Sequence, residues 1–284
     1  MGMLLSRERR RRISNRIYIG MASACFVVAL IPLFSILYYT ISQGYSALSV
    51  DFFTKSTPPI GSSGGGILNA LQGSFLMVGL ASSFGIPFGI LAGSYMAEYP
   101  SRFSNGVRLL ADALTGVPSI ITGIFIFGLI VVTTHHFSAW SGGVALGTMM
   151  IPIVAVSTQE ALRLVPPEIR EGALALGISR SRTLLQVLLS TAKKGVVTGI
   201  VLALARVMGE TAPLLLTALG NQFLLTNLND QAASLTLVIF NFATSGDPIA
   251  VHFAWGVALI LLLIVLGLNI IVRMASRQKL QANQ

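Results

Sequence analysis

Charge is what this sequence has least of. Only 10% of its 284 residues are Asp, Glu, Lys or Arg, against about a quarter in soluble domains. With 54% apolar residues and a mean hydropathy of +0.78, that scarcity makes the bilayer, not water, the solvent. Cysteine is nearly absent too. Cys25 stands alone in an apolar run, which excludes an intrachain disulfide framework and reads as a small buried apolar side chain. No G-x-x-x-x-G-K-[ST] loop occurs, so nucleotide binding by that route is excluded. His135, His136 and His252 lack Cys or acidic company at metal-ligand spacing, and no nucleophile–base constellation is present. No catalytic residue, metal or cofactor is expected. A membrane protein without energy-converting chemistry of its own is a channel, a gradient-driven carrier or one part of a larger machine.

What is there is a series of long uncharged stretches. No charge separates Arg16 from Asp51, or Lys55 from Glu98, and Asp112 is the only one between Arg108 and Glu160. A further uncharged run extends from Pro248 to Val272. Gly, at 28 residues, is as frequent as packed membrane helices tolerate. Cutting the runs at Gly, Pro and polar clusters predicts an all-α membrane protein of six transmembrane helices, at 17–42, 70–97, 108–134, 142–163, 193–219 and 250–273. Helices are required because lipid offers no partner to an unpaired backbone group. The first apolar run, Ile17 to Ile41, is 25 residues long, too long for a signal-peptide core and right for about 30 Å of hydrocarbon.

The basic residues set a direction. One side collects six Arg before residue 17, then Arg102 and Arg108. It also takes Arg163, Arg170, Arg180, Arg182, Lys193 and Lys194, and finally Arg273, Arg277 and Lys279, which makes 17 of 19. The opposite side keeps Lys55. The positive-inside rule makes the crowded side cytoplasmic, with both termini there, in the cell (inner) membrane. The net charge of +9 is thus a topology signal, and Arg7 to Arg12 reads as a lipid-headgroup anchor rather than a nucleic-acid arm. The implied organisation is a basic tail at 1–16, a first span at 17–42, an extracytoplasmic loop at 43–69, a five-helix core at 70–273 and a tail at 274–284. By composition the loop is flexible, with Pro58-Pro59 and Gly61-Ser62-Ser63-Gly64-Gly65-Gly66. The nine-residue run Leu235 to Ala243 is too short to span, so it lies at the interface or tucks back into the bundle.

Within the core, the cytoplasmic loop 164–190 predicts a short helix outside the bilayer. Pro167 suits a first turn and Glu168 the positive helix end. Gly177 suits a left-handed stop, and Ser179 or Ser181 suits the cap of the next helix. Ile169, Ala173 and Leu176 recur on one face. In the fifth span, Arg206 and Glu210 lie about 18 and 24 Å along the axis from Lys194, at ~1.5 Å per residue. Charges that deep seldom face lipid, and the i,i+4 spacing lets them pair. Such a pair is either structural glue or an anion pathway, in which Arg206 offers a planar fork to an oxyanion. Pro213 loosens the helix beside it.

Glu171-Gly172-Ala173, Gly177 and Val187-x-Leu189, with three and nine residues between them, resemble the EAA motif of ATP-binding-cassette importer permeases. Gly172 and Ser190 depart from the usual Ala and Pro. The run Ala205-Arg206-x-x-Gly209-Glu210-Thr211-Ala212-Pro213-Leu214-Leu215 resembles PstA-type phosphate permeases. So do Gly65-Gly66-Ile67, Tyr95-x-x-Glu98-Tyr99, Val117-Pro118-Ser119-Ile120 and Leu237-Val238-Ile239-Phe240. The likeness covers about 50–273. It implies an ABC importer type I permease fold, with Glu171, Gly172, Ala173 and Gly177 coupling to the ATPase and Arg206 and Glu210 on the pathway. It also implies a PstC-like second permease, a dimer of PstB-like ATPase, a PstS-like binding protein and phosphate as cargo. A permease for molybdate or sulfate, or a stand-alone carrier, are the other readings.

Overall fold

The computed structural model describes residues Gly2–Arg277. The end of the tail expected at 274–284 lies outside the described residues, as do most side chains of the Arg7–Arg12 cluster. Eleven segments of the described residues are helical: α1 Gly2–Tyr45, α2 Val50–Thr54, α3 Leu68–Glu98, α4 Arg102–Gly116, α5 Ser119–Thr134 and α6 Ala139–Arg163. They continue as α7 Pro167–Ala175, α8 Arg180–Met208, α9 Ala212–Thr217, α10 Leu235–Ala243 and α11 Pro248–Arg277. Both α5 and α8 contain a π-type turn, at Phe127–Val131 and Thr183–Leu188. Among the described residues, five helices are long and apolar enough to cross a membrane, six if α4 and α5 count as one broken span.

α1 is longer than its expected span. No Gly or Pro interrupts residues 3–19, and Arg, Leu and Glu are good helix formers, so the basic segment continues the helix instead of forming a separate tail. At 44 residues it is about 66 Å long, twice the hydrocarbon thickness. α1 lies antiparallel chiefly against α11, with the Ser46 hydroxyl 2.8 Å from His252 Nε2. Among its described side chains most others are exposed, Cys25 included, so the expected burial of that thiol is corrected.

The heart of the bundle is the α3–α6 pair. Gly85, Gly89 and Gly93 recur every four residues along α3, and a Cβ at Gly89 would lie 2.6 Å from Val154 Cβ. Small residues let the backbones close, since dispersion rather than water expulsion drives packing in lipid. Met77, Leu146, Met150, Val154 and Val207 fill the space among α3, α6 and α8.

One end of the bundle carries Arg102, Arg163, Arg170, Arg180 and Arg182, and is called here the basic end; the other is the distal end. At the distal end the 43–69 segment is pinned rather than free. Asn69 Oδ1 accepts from the Thr57 amide and hydroxyl at 2.9 and 2.8 Å, and Asn69 Nδ2 donates to the Asn221 carbonyl at 2.7 Å. Gly65 turns with φ +86° against the Pro58 ring, so the glycines build a turn and not a slack tether. α10, capped by Ser234, buries Leu235, Val238 and Phe242 against its neighbours, chiefly α11. It tucks back into the bundle.

Two spans differ from the uninterrupted helices expected. The span at 108–134 is α4 and α5, bent by 102° at Val117-Pro118. Proline forces its predecessor out of the helical region, and Val117 is extended at ψ 131°. The span at 193–219 begins earlier, at Arg180, because no Gly or Pro interrupts 180–194. It ends earlier too, at Met208.

Candidate functional site

α7 is built from the ends inward. Pro167 stands in the first turn, where its missing N–H leaves no gap. At the other end Gly177 takes φ +77°, while its N–H donates to Leu174 O at 3.0 Å and the Ile178 N–H donates to Ala173 O at 3.2 Å. These are the two bonds of a Schellman stop. Ser179 occupies the N-cap of α8 but its side chain makes no capping bond. Ala173 is buried and Ile169 packs with Leu162, Leu188 and Ala192. Leu176, expected on that face, is 83% exposed. The helix ends at Ala175, so the Leu176 side chain leaves the register of the face. Glu171, Gly172 and Gly177 are exposed, and Leu164, Leu174 and Leu185 are exposed nearby.

Two polar ties hold this end together. Arg170 of α7 meets Glu98, the last residue of α3, at 2.8 Å. The Glu98 side chain is only 6% exposed. No hydrogen bond satisfies its Oε2, so Arg170 answers it as a counter-charge. Arg108 of α4 donates to Asp112 at 2.8 Å and to Gln159 Oε1 at 2.6 Å, and reaches Glu160 at 3.3 Å. Gln159, fully buried, donates in turn to the Met96 carbonyl at 3.2 Å. The sequence offered one hint, an acid ending an otherwise uncharged span. It could not name the partners.

Arg206 and Glu210 are near each other but not on one helix. Arg206 closes α8, Gly209 caps it, and Glu210 lies in the break before α9. Their closest contact, Nε to Oε1, is 3.8 Å, a loose pair. Pro213 is not a kink inside a helix; it sits in the first turn of α9. There no donor is needed, and the strand of backbone before it closes with tight bonds, Gly209 N–H to Arg206 O at 3.1 Å and Glu210 N–H to Val207 O at 3.3 Å. A residue that pattern reading missed secures the break: buried Thr236 of α10 donates to the Glu210 carbonyl at 2.9 Å.

The two interrupted spans stand side by side. A Cβ at Gly123 of α5 would lie 2.7 Å from Pro213 Cα. Arg206 lines a tight cleft of about 10 Å³ with Leu114, Thr115, Val117, Thr122, Met149 and Ile153, next to the α4–α5 bend. Its side chain remains 45% exposed, that of Glu210 17%. The arrangement therefore offers a permanent cation, weakly countered, between two breaks on a face that this chain leaves open. Irregular backbone at membrane depth is tolerated where protein or a water-filled cavity covers it, and paired broken helices are a recurrent form of transporter site.

Residues 85–279 match the family described as binding-protein-dependent transport system inner membrane component. The fold agrees: a chain of the inward-facing MetNI methionine ABC transporter superposes with a TM-score of 0.55 at 18% identity, covering 77% of this chain and 94% of that one. The protein is thus a multi-pass membrane permease component of a binding-protein-dependent transport system, acting with other components of that system. Among relatives, the phosphate transport system permease protein PstA of Haemophilus influenzae is 44% identical over 271 residues, 95% of this chain and 96% of that one. PstA of Yersinia pestis is 41% identical over 95% of this chain and 92% of its own. The chain belongs to the PstA family of phosphate transport system permeases.

Proposed function

We propose that this chain translocates inorganic phosphate into the cell as one of two permease subunits, driven by a separate ATPase dimer and fed by an extracytoplasmic phosphate-binding protein. The observation that carries the reading is Arg206: a guanidinium 45% exposed at the breaks between helices, where an uncovered charge would cost about 2.5–3.5 kcal/mol on insertion scales. A second permease closing over this face would remove that cost and enclose Arg206 in a polar pathway. Phosphate as cargo is supported by the names of the relatives and by a fixed charge of suitable sign and geometry. The loose Glu210 partner leaves the guanidinium free to bind an anion and release it.

In this reading the basic end is cytoplasmic, as the positive-inside rule requires, and α7 docks on the ATPase. Exposed Leu164, Leu174, Leu176 and Leu185 around α7 supply an apolar surface of the kind that marks a contact, with Glu171 at its charged edge.

The test is uptake of radiolabelled phosphate in vesicles holding the importer with all its subunits. Arg206→Gln and Glu210→Gln are expected to abolish uptake while the complex still purifies whole. Uptake unchanged in both would reduce the pair to structural glue, and competition by sulfate or molybdate as strong as by phosphate would reassign the cargo. Glu171→Lys combined with Gly177→Pro is expected to prevent co-purification of the ATPase.

A further inference from the structure

Among the described residues, polar contacts linked by stretches of helix connect α7 to the Arg206 cleft. It starts at the Glu98–Arg170 pair, 2.8 Å apart. Two residues before Glu98, the Met96 carbonyl accepts from Gln159 Nε2 at 3.2 Å. Gln159 Oε1 accepts from Arg108 at 2.6 Å. Arg108 rides on α4, a helix of 15 residues whose last turn and cap, Leu114, Thr115 and Val117, line the cleft beside Arg206. From Arg108 to Val117 is about 13 Å of helix, stiff enough to carry a displacement.

The burial of these groups decides what they do. An exposed ion pair contributes little. Glu98 is nearly sealed while Arg170 is 31% exposed; among the described residues Arg170 is its one counter-charge, and separating a buried carboxylate from its counter-charge is unfavourable. The pair therefore stays closed when α7 moves, and the end of α3 moves with it. Gln159, fully buried, passes the shift to Arg108, because losing either of its bonds would leave a buried amide group unpaired.

We propose that Glu98 and Arg170, with Gln159 and Arg108, form the mechanical relay by which displacement of α7 repositions α4 and so opens or closes the cleft at Arg206. Glu98 and Arg108 are positioning residues in this scheme; neither contacts the cargo. The proposal rests on the coupling role of α7 and the pathway role of Arg206 given above.

The relay is tested in the reconstituted importer with all partner subunits, reading phosphate transported per ATP hydrolysed. Glu98→Gln and Arg170→Gln are each expected to leave the ATPase bound and to lower that ratio about tenfold, the scale of an ordinary coupling energy. The charge swap Glu98→Arg with Arg170→Glu is expected to recover most of it. A merely structural pair would lower assembly or thermal stability and leave the ratio in the surviving complexes unchanged. Single variants with the wild-type ratio, or a swap that assembles without recovering the ratio, would overturn the relay. Should neither single variant assemble, the double replacement Glu98→Met with Arg170→Met, which buries no lone charge, is read instead; a normal ratio there also overturns it. A wild-type complex that moves no phosphate would sink the functional reading, whereas a working wild type with unaffected variants would sink the relay alone.

Discussion

The Thr236 hydroxyl donates to the Glu210 carbonyl at 2.9 Å, tying a helix that never crosses the bundle to the break in one that does. The two residues are 26 positions apart, and through them α10 fixes the backbone on which the Arg206–Glu210 pair is mounted. Thr236→Val preserves shape but leaves the carbonyl without its donor, at a cost of about 1–3 kcal/mol. The expected result is a lower melting temperature of the purified complex and slower phosphate uptake, with Thr236→Ser close to wild type. Equal behaviour of all three would show that packing alone holds the break.

Arg206→Lys separates charge from geometry. Lysine keeps the positive charge but loses the planar fork. Uptake is expected to fall about tenfold, the equivalent of one charge-assisted hydrogen bond of about 1.5 kcal/mol, and to stay above that of Arg206→Gln. A lysine variant as inactive as the glutamine one would mean that the fork is indispensable; one as active as wild type would mean that charge suffices.

Gly172 inside α7 and Gly177 just past its end should respond in opposite senses to alanine. A Cβ at Gly172 meets nothing within 4 Å, so Gly172→Ala is expected to stabilise α7 by about 1 kcal/mol. Gly177 has φ +77°, and Gly177→Ala is expected to cost about 1–2 kcal/mol by straining the stop. Hydrogen exchange over 167–178 reads both; slower exchange in Gly177→Ala would contradict the left-handed turn.

Gly89→Leu tests the α3–α6 contact. The added side chain would begin 2.6 Å from Val154 Cβ, and overpacking of this kind costs about 1–3 kcal/mol or more. A complex that melts at the wild-type temperature would show that the two helices stand further apart than described.

Much of the site was legible locally. The α7 boundaries follow from Pro167 and Gly177, because a missing donor and a missing Cβ act within one turn of the chain. The bend at Val117-Pro118 was equally local, yet hydropathy hid it: both halves are apolar enough to pass together as one span. Pro213 was read in the wrong frame for a related reason. Proline inside a helix and proline starting a new one share a sequence signature, and the choice depends on whether neighbours such as Thr236 hold the break open.

Composition and charge placement were sufficient to establish the bilayer as solvent, the approximate spans and a basic end, since hydrocarbon thickness and the penalty on charge act on every residue whatever its neighbours. The Arg206–Glu210 proximity was also written in the chain, four residues apart. The pairings that unite the site were not. Glu98 and Arg170, Arg108 and Gln159, Thr236 and Glu210 meet because helices distant in sequence pack side by side, and periodicity within one helix names the face it presents but not the partner that covers it. Tertiary structure alone decided that Arg206 would lie between two broken spans, on a face this chain leaves open.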